Sequence, residues 1–242
     1  MHFHNVSCSM TGFSAAVVAD DIRLLVDAGF TQSEWVDFER RSGLRAQEFN
    51  DVLLTHEHLD HVHGLSWWFQ ELAPLQTRIW CNSGIWEALK LPPSLEKHFS
   101  PIPPSGQFMI GSVSVRAIPV THDAVAPQAF QFRAGSGTFL LALDCGCVTR
   151  QLREALRESD YAFLSPYFDE EMLPSEPSGD AQRVASLHGH LSNQQVSAWL
   201  RKSGGRLTRL WLGHRHKQWN SRLEMIRHIL PAIQEDVVVE LF

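Results

Sequence analysis

The sequence predicts a layered α/β domain with mixed sheets. Three observations carry this: short apolar, β-branched runs bounded by turn residues recur along the chain, amphipathic helical stretches lie between them, and clusters of polar residues follow directly on the apolar runs. In order, strands are expected at IRLLVDAG (22–29), DVLLTH (51–56), RIWC (78–81), VSVRAIPV (113–120), FLLALDCG (139–146), YAFLS (161–165), LTRLWLGH (207–214) and VVVELF (237–242). Helices are expected at LSWWFQELA (65–73), at SGIWEALK (83–90) with Ser83 as N-cap, and at VTRQLREALRES (148–159), where Leu152, Ala155 and Leu156 share one face. LSNQQVSAWLRKS (191–203) opens with Ser192 and Gln195 in capping-box spacing, and SRLEMIRHILPAI (221–233) supplies a last helix.

The proline-rich segment 91–106 reads as an irregular connection and 173–182 as a surface loop. Strand-like runs that need partners lie on both sides of each, so the expectation is a single domain over 1–242.

A chain of 242 residues can bury a core without disulfides, and 44% hydrophobic with 20% charged residues is an ordinary globular composition. No apolar run approaches the roughly 20 residues that span a bilayer, and MHFHNVSCSMTGF has no basic-then-apolar leader pattern. A cytoplasmic protein without a membrane partner is therefore expected. Cys8, Cys81, Cys145 and Cys147 show no framework spacing and read as reduced thiols, with soft-metal binding at Cys145-Gly-Cys147 a minor alternative. A net charge of −6 excludes a protein that grips nucleic acid by global positive potential but leaves room for local basic patches.

The 13 histidines are the unusual entry in the composition, and they cluster at 56–63, 188–190 and 214–216. In LLTHEHLDHVHGL (53–65) an apolar strand ends just before His56, Glu57, His58, Asp60, His61 and His63, and a helical stretch begins just after them. His56 and His58 are two apart, so at a strand end they point the same way. Asp60 and His61 continue into the turn. A solvated, histidine-rich turn is the plain alternative; against it stand three imidazoles and an aspartate directly after a buried-type strand. One ion takes three or four ligands, so this excess points to two.

Other candidates stand at strand ends. His122 follows SVSVRAIPV and is either a ligand or a strand-end histidine with no partner. Asp144 closes FLLAL, where a buried carboxylate needs a cation or hydrogen bonds; the alternative, a helix N-cap, is better filled by Thr149. His214 is preferred to His216 as nearer its strand, and His63 and His216 read as surface or indirect contacts. His190 precedes a helix capped by Ser192, a place that favours an anion; the alternative is a helix-entry histidine bonded to backbone.

His56-Glu57-His58-Leu59-Asp60-His61 resembles the HxHxDH signature of the metallo-β-lactamase fold family, and Asp27, His122, Asp144 and His214 follow the family's remaining motifs in order. Gly189-His190-Leu191-Ser192-Asn193 and the preceding DEEML (169–173) resemble the small YycJ-type phosphodiesterase and exonuclease-like branch. The resemblance implies an αββα sandwich of two mixed β-sheets flanked by helices, and two divalent ions (zinc, manganese or iron). It assigns His56, His58 and His122 to one ion and Asp60, His61 and His214 to the other. Asp144 bridges them, Asp27 orients a ligand imidazole, and a bridging hydroxide attacks phosphorus. Asp60 and His190 form the catalytic pair, with His190 as proton donor, and Ser192 and Asn193 contact substrate. Where related endonucleases carry an acidic partner for that histidine, this chain has LSPYFDEEM, so Ser165 or Asp169 is the expected replacement.

The expected activity is that of a dinuclear metal-dependent hydrolase, a phosphodiesterase or nuclease acting on single-stranded nucleic-acid ends or a small phosphodiester. Arg201, Lys202, Arg206 and Arg209, and again Arg215, Lys217 and Arg222, are loose basic groups that suit a phosphate backbone or simply face solvent. Trp67, Trp68 and Phe69 suit base stacking or the core. The alternatives are a lactone or thioester hydrolase of the same fold and a metal-stabilised module without turnover. Oligomeric state is open.

Overall fold

The computed structural model describes every residue of the chain except 104, 105, 177 and 204. The chain forms two compact units, one of Met1–Ala117, Ala124–Pro127 and Phe132–Ser136, the other of Ile118–Asp123, Gln128–Gln131 and Gly137–Phe242. It passes from one unit to the other five times between residues 117 and 137, so no linker in the sequence marks a boundary.

The first unit begins with β1 (His2–Ser9), β2 (Gly12–Ala19) and β3 (Ile22–Val26), an antiparallel meander. Helix α1 (Gln32–Ser42), β4 (Asp51–Leu53), the one-turn helix α2 (Leu59–Val62), α3 (Leu65–Glu71), β5 (Arg78–Cys81), α4 (Ser83–Leu89) and β6 (Phe99–Pro101) follow. The strands β3 to β6 run parallel, and a hairpin of β7 (Gln107–Ile110) and β8 (Val113–Pro119) comes next. Trp35 and Phe38 of α1, Leu65 and Trp68 of α3 and Ile85 of α4 pack with Leu25, Val52 and Ile79 of the sheet into one core.

Sequence pattern missed β1, β2, α1, α2, β6 and β7. Strand β2 is GFSAAVVA, rich in small residues with little strand preference, yet Phe13 to Val17 are wholly buried; burial, not propensity, makes it a strand. Helix α1 presents only Trp35 and Phe38 inward but has a full capping box, Thr31 with Glu34. The segment expected to be irregular carries a 3-10 turn (Pro93–His98) and β6, which pairs with β5; two of its residues, 104 and 105, lie outside those described. The N-cap of α4 is Asn82 rather than Ser83, because the Asn82 side chain accepts from the Gly84 N–H.

The second unit holds β9 (Gln128–Ala134, shared with the first), β10 (Gly137–Ala142), α5 (Arg150–Arg157), β11 (Tyr161–Leu164) and β12 (Pro166–Phe168). Helix α6 (Gly179–Val184), β13 (Leu191–Ser192), α7 (Asn193–Ser203), β14 (Arg209–Leu212), α8 (Arg222–Ile229) and β15 (Val238–Leu241) complete it. The strands β10, β11, β14 and β15 are parallel neighbours. Leu152 and Leu156 of α5, Val196 and Leu200 of α7 and Met225 and Ile229 of α8 cover them as one core. Thr149 caps α5, and Ser192 with Gln195 closes the expected capping box at α7. The expected loop 173–182 gives way to α6 at Gly179. Among the described residues no helix is long and apolar enough to cross a membrane.

Several expected strands stop short of their polar ends, at Val26, Leu53, Ala142 and Leu212. After three of them, β3, β10 and β14, the backbone shows why: Asp27, Asp144 and His214 take left-handed conformations with φ of 56°, 44° and 54°, which no ladder accommodates. Of five described non-glycine residues with positive φ, these three are all predicted site residues, strain collected where chemistry is expected.

Candidate metal centre

Each unit carries its own set of predicted donors. In the first unit, β4 delivers the chain to Thr55 and His56, and α2 carries Asp60 and His61. Donor atoms of His56 and His58, of His56 and His61, and of Asp60 and His61 lie within 4.8 Å of one another. His56, His61 and Asp27 are buried, and His58 and Asp60 are half-buried.

Asp27 organises this set. Its carboxylate accepts from the Thr55 N–H at 2.7 Å, from the Thr55 hydroxyl at 2.7 Å and from His61 Nδ1 at 2.7 Å. Burial pushes the Asp27 carboxyl up, and its bonds to His61 and Thr55 only partly offset that. The Thr55 hydroxyl has one proton and gives it to Asp27, so its 3.0 Å contact with His56 Nδ1 requires the imidazole to donate. Both His56 and His61 are thereby held as Nδ1–H tautomers with Nε2 as the ligand atom, the arrangement by which a backing oxygen orients a metal-binding histidine.

The loop carrying Asp27 and the loop carrying Asp60 touch through backbone: Ala28 N–H donates to the His61 carbonyl at 2.7 Å, and a Cβ at Gly29 would lie 1.6 Å from the Asp60 carbonyl oxygen. Only glycine fits there. Glu57 accepts from the Val125 N–H at 2.8 Å, and His63 is exposed and bonded to the Leu59 carbonyl.

In the second unit, His122, Asp144, His190 and His214 come from four separate segments and are all buried. Asp144 Oδ1 lies 3.0 Å from His190 Nδ1 and 3.4 Å from His214 Nε2. Burial alone would push the Asp144 carboxyl up; the His214 and His190 imidazoles outweigh it and hold the group well below the usual carboxylate range. His122 Nδ1 meets the Gly189 carbonyl at 3.0 Å, again leaving Nε2 as the ligand atom, and burial pushes this imidazole down despite the Asp144 carboxylate. A Cβ at Gly189 would stand 2.2 Å from the Val184 carbonyl oxygen, so the glycine of GHLSN is what lets this turn close.

Neither expected replacement for the acidic partner reaches His190. Ser165 donates to the His214 carbonyl at 2.9 Å. Asp169 accepts from Asn193 Nδ2 at 2.8 Å, from the Glu171 N–H and from Gln194, and lies 3.2 Å from His228. The carboxylate beside His190 is Asp144, and Tyr167 lies flat on its ring, with centroids 3.7 Å apart and planes 10° apart.

Ser192 and Asn193, expected at the substrate, are fully buried and spent on protein partners. Ser192 donates to Glu170 at 2.6 Å, and Asn193 and Asn220 exchange a reciprocal pair of amide bonds at 2.9 Å. These side chains hold the turn that carries His190. His216 accepts the Gln218 and Trp219 N–H groups at Nδ1 and stacks on Trp219, as an indirect contact would.

Three contributors escaped sequence reasoning. Thr55 carried a weak signal, a hydroxyl between an apolar strand and the first histidine. Tyr167 and Asn220 carried none, since their partners are distant in sequence.

Imidazole Nε2 atoms with fixed tautomers and carboxylate oxygens form a donor set that fits zinc, manganese or iron without thiolate. Residues 22–214 match the model of the Beta-lactamase superfamily domain, and the chain belongs to that family; it is a metal-dependent hydrolase. It is 28% identical over 223 residues to exodeoxyribonuclease WalJ of Streptococcus pneumoniae, covering 87% of this chain and 81% of that one. Exodeoxyribonuclease YycJ of Bacillus anthracis is 25% identical over 207 residues, 81% of this chain and 75% of that one, which supports the YycJ-type branch. The metallo-β-lactamase fold protein YhfI of Bacillus subtilis superposes with a TM-score of 0.76 at 16% identity, covering 99% of this chain and 95% of that one. Human tRNase Z, short form, gives 0.66 at 16% identity, covering 90% and 93%. These likenesses show the fold, the α/β sandwich of mixed sheets flanked by helices.

Proposed function

We propose that this chain is a dinuclear metal-dependent phosphodiesterase that shortens single-stranded DNA from an end or cleaves a small phosphodiester. The observation that carries the reading is the identity with exodeoxyribonuclease WalJ along 87% of the chain. In this reading His56, His58 and His122 would hold one ion and Asp60, His61 and His214 the other, with Asp144 as a ligand available to both. When bound, such ions supply Lewis acidity at phosphoryl oxygen and activate the attacking water at neutral pH.

The chain's own residues do the rest. Asp27 and Thr55 keep His61 and His56 turned with Nε2 inward. Asp60 and His190 are the catalytic pair: His190, pinned between Tyr167 and the Asp144 carboxylate at Nδ1, presents Nε2 to protonate the leaving oxygen. Ser192 and Asn193 serve substrate through the turn they fix.

The test is end-labelled single-stranded DNA with Mn²⁺- or Zn²⁺-loaded protein, beside bis(4-nitrophenyl) phosphate and a panel of lactones and thioesters. Progressive shortening of the strand, lost in EDTA and in Asp60→Ala, supports the reading. Hydrolysis of a lactone or thioester with no phosphodiester cleaved replaces it with carboxyl-ester chemistry, and inertness across the panel replaces it with a metal-stabilised binding module.

A further inference from the structure

A line of rings leads outward from His190. Tyr167 stacks on His190 at 3.7 Å, His216 meets Tyr167 edge-on at 5.6 Å and 61°, and Trp219 stacks on His216 at 4.0 Å and 12°. The last two rings are partly exposed. Trp219 is held firmly, its carbonyl accepting from the Asp169 N–H at 2.7 Å and its own N–H donating to His216 Nδ1.

Between His214 and this indole stand Arg215 and Lys217, the second exposed. Arg215 Nη1 donates to the Asn220 carbonyl at 3.1 Å, while its Nε is buried with no acceptor among the described residues. A desolvated guanidinium donor is costly unless an anion meets it, and its planar fork matches phosphate. A flat ring one short loop away offers what a nucleobase needs, a π-face that accepts any base.

We propose that residues 215–219, with Tyr167, form the subsite for the nucleotide next to the cleaved bond, Arg215 holding a phosphate and Trp219 stacking the base. This rests on the phosphodiesterase reading for its place in the reaction, but the binding it asserts is measurable without turnover. The ligand class is a single-stranded oligonucleotide, and the subsite tolerates any sequence because stacking and phosphate contact carry no base code.

The experiment is fluorescence anisotropy of a short labelled oligothymidylate in EDTA, so that no strand is cut. It is repeated with abasic nucleotides replacing each of the terminal positions in turn. Wild type should bind one of the abasic strands about tenfold more weakly than the intact strand, the loss of one stacked base. Trp219→Ala should bind both equally weakly, and Trp219→Phe should restore most of the discrimination. Arg215→Ala should weaken intact and abasic strands alike and lower the salt slope by about one.

Discrimination that survives in Trp219→Ala, or its absence from wild type, overturns the subsite. The wild-type comparison and Trp219→Phe keep the test decisive if the alanine variant fails to fold. A protein that shortens DNA without base discrimination loses the subsite and keeps the phosphodiesterase reading; one that discriminates but cleaves nothing keeps the subsite and loses that reading.

Discussion

The two buried aspartates at the head of each donor set make the sharpest comparison in the molecule. Asp27 and Asp144 both follow a strand, both sit in left-handed backbone, and both are removed from solvent, yet burial raises the carboxyl of one while two imidazoles drive the other well down. The difference lies in what each faces. Asp27 stands behind its histidine, at Nδ1, and spends its oxygens on Thr55 and His61. Asp144 faces His214 Nε2, on the side where a ligand atom belongs, and stays an anion ready for a cation. In the proposed reading the same residue type orients an imidazole in one unit and serves as a ligand in the other, where it also meets His190 at Nδ1.

Breaking the comparison at its stronger end should have the largest effect. Asp144→Ala should reduce hydrolysis to background and lower metal content by elemental analysis, with the circular dichroism of a folded chain; full metal occupancy with full activity would contradict a ligand role. His190→Ala should retain its metal and lose about 10²–10⁴ in kcat, the usual worth of a positioned proton donor. A parallel loss of metal would instead make His190 a structural prop of Asp144.

Asp27→Asn keeps the shape but weakens the grip on His61, and should cost about 10–100-fold in metal affinity, the usual worth of a group that orients a ligand. Thr55→Val should fall at the low end of that range, because it releases the His56 tautomer and one bond to Asp27 but leaves Asp27 on His61; competition with a fluorescent chelator measures both. Smallest is Asn193→Ala, which strands the Asn220 amide in a buried network and should lower stability by about 1–3 kcal/mol in urea unfolding, with kcat changed less than by His190→Ala. An unchanged midpoint would return Asn193 to the substrate.

The first unit's donor set was legible because it is local. Four candidate ligands within six residues after an apolar strand announce themselves, and Asp27 directly follows the strand that pairs with the one delivering them. The second unit's set was legible only as isolated strand ends, because His122, Asp144, His190 and His214 are spread over 93 positions and gain meaning from one another. LSPYFDEEM points to an acidic partner for His190 nearby in the chain, whereas the carboxylate beside it is Asp144, from another strand end. Elements were legible where apolar periodicity was strong, as in β5 and α5. Strand β2 and helix α1 were not, since small residues become strand through burial and a helix with two inward residues shows little period.

By itself the sequence determined the donor types, their order and their placement at the ends of apolar strands, because side-chain chemistry and strand periodicity are local properties. Tertiary structure alone decided that His56, His61 and His122 are held at Nδ1, that Asp27 stands at His61 Nδ1 while Asp144 faces His214 Nε2, and that Ser192 and Asn193 are spent on the fold. Each of these depends on a hydrogen bond or ring contact between residues remote in the chain, and no local pattern records such a partner.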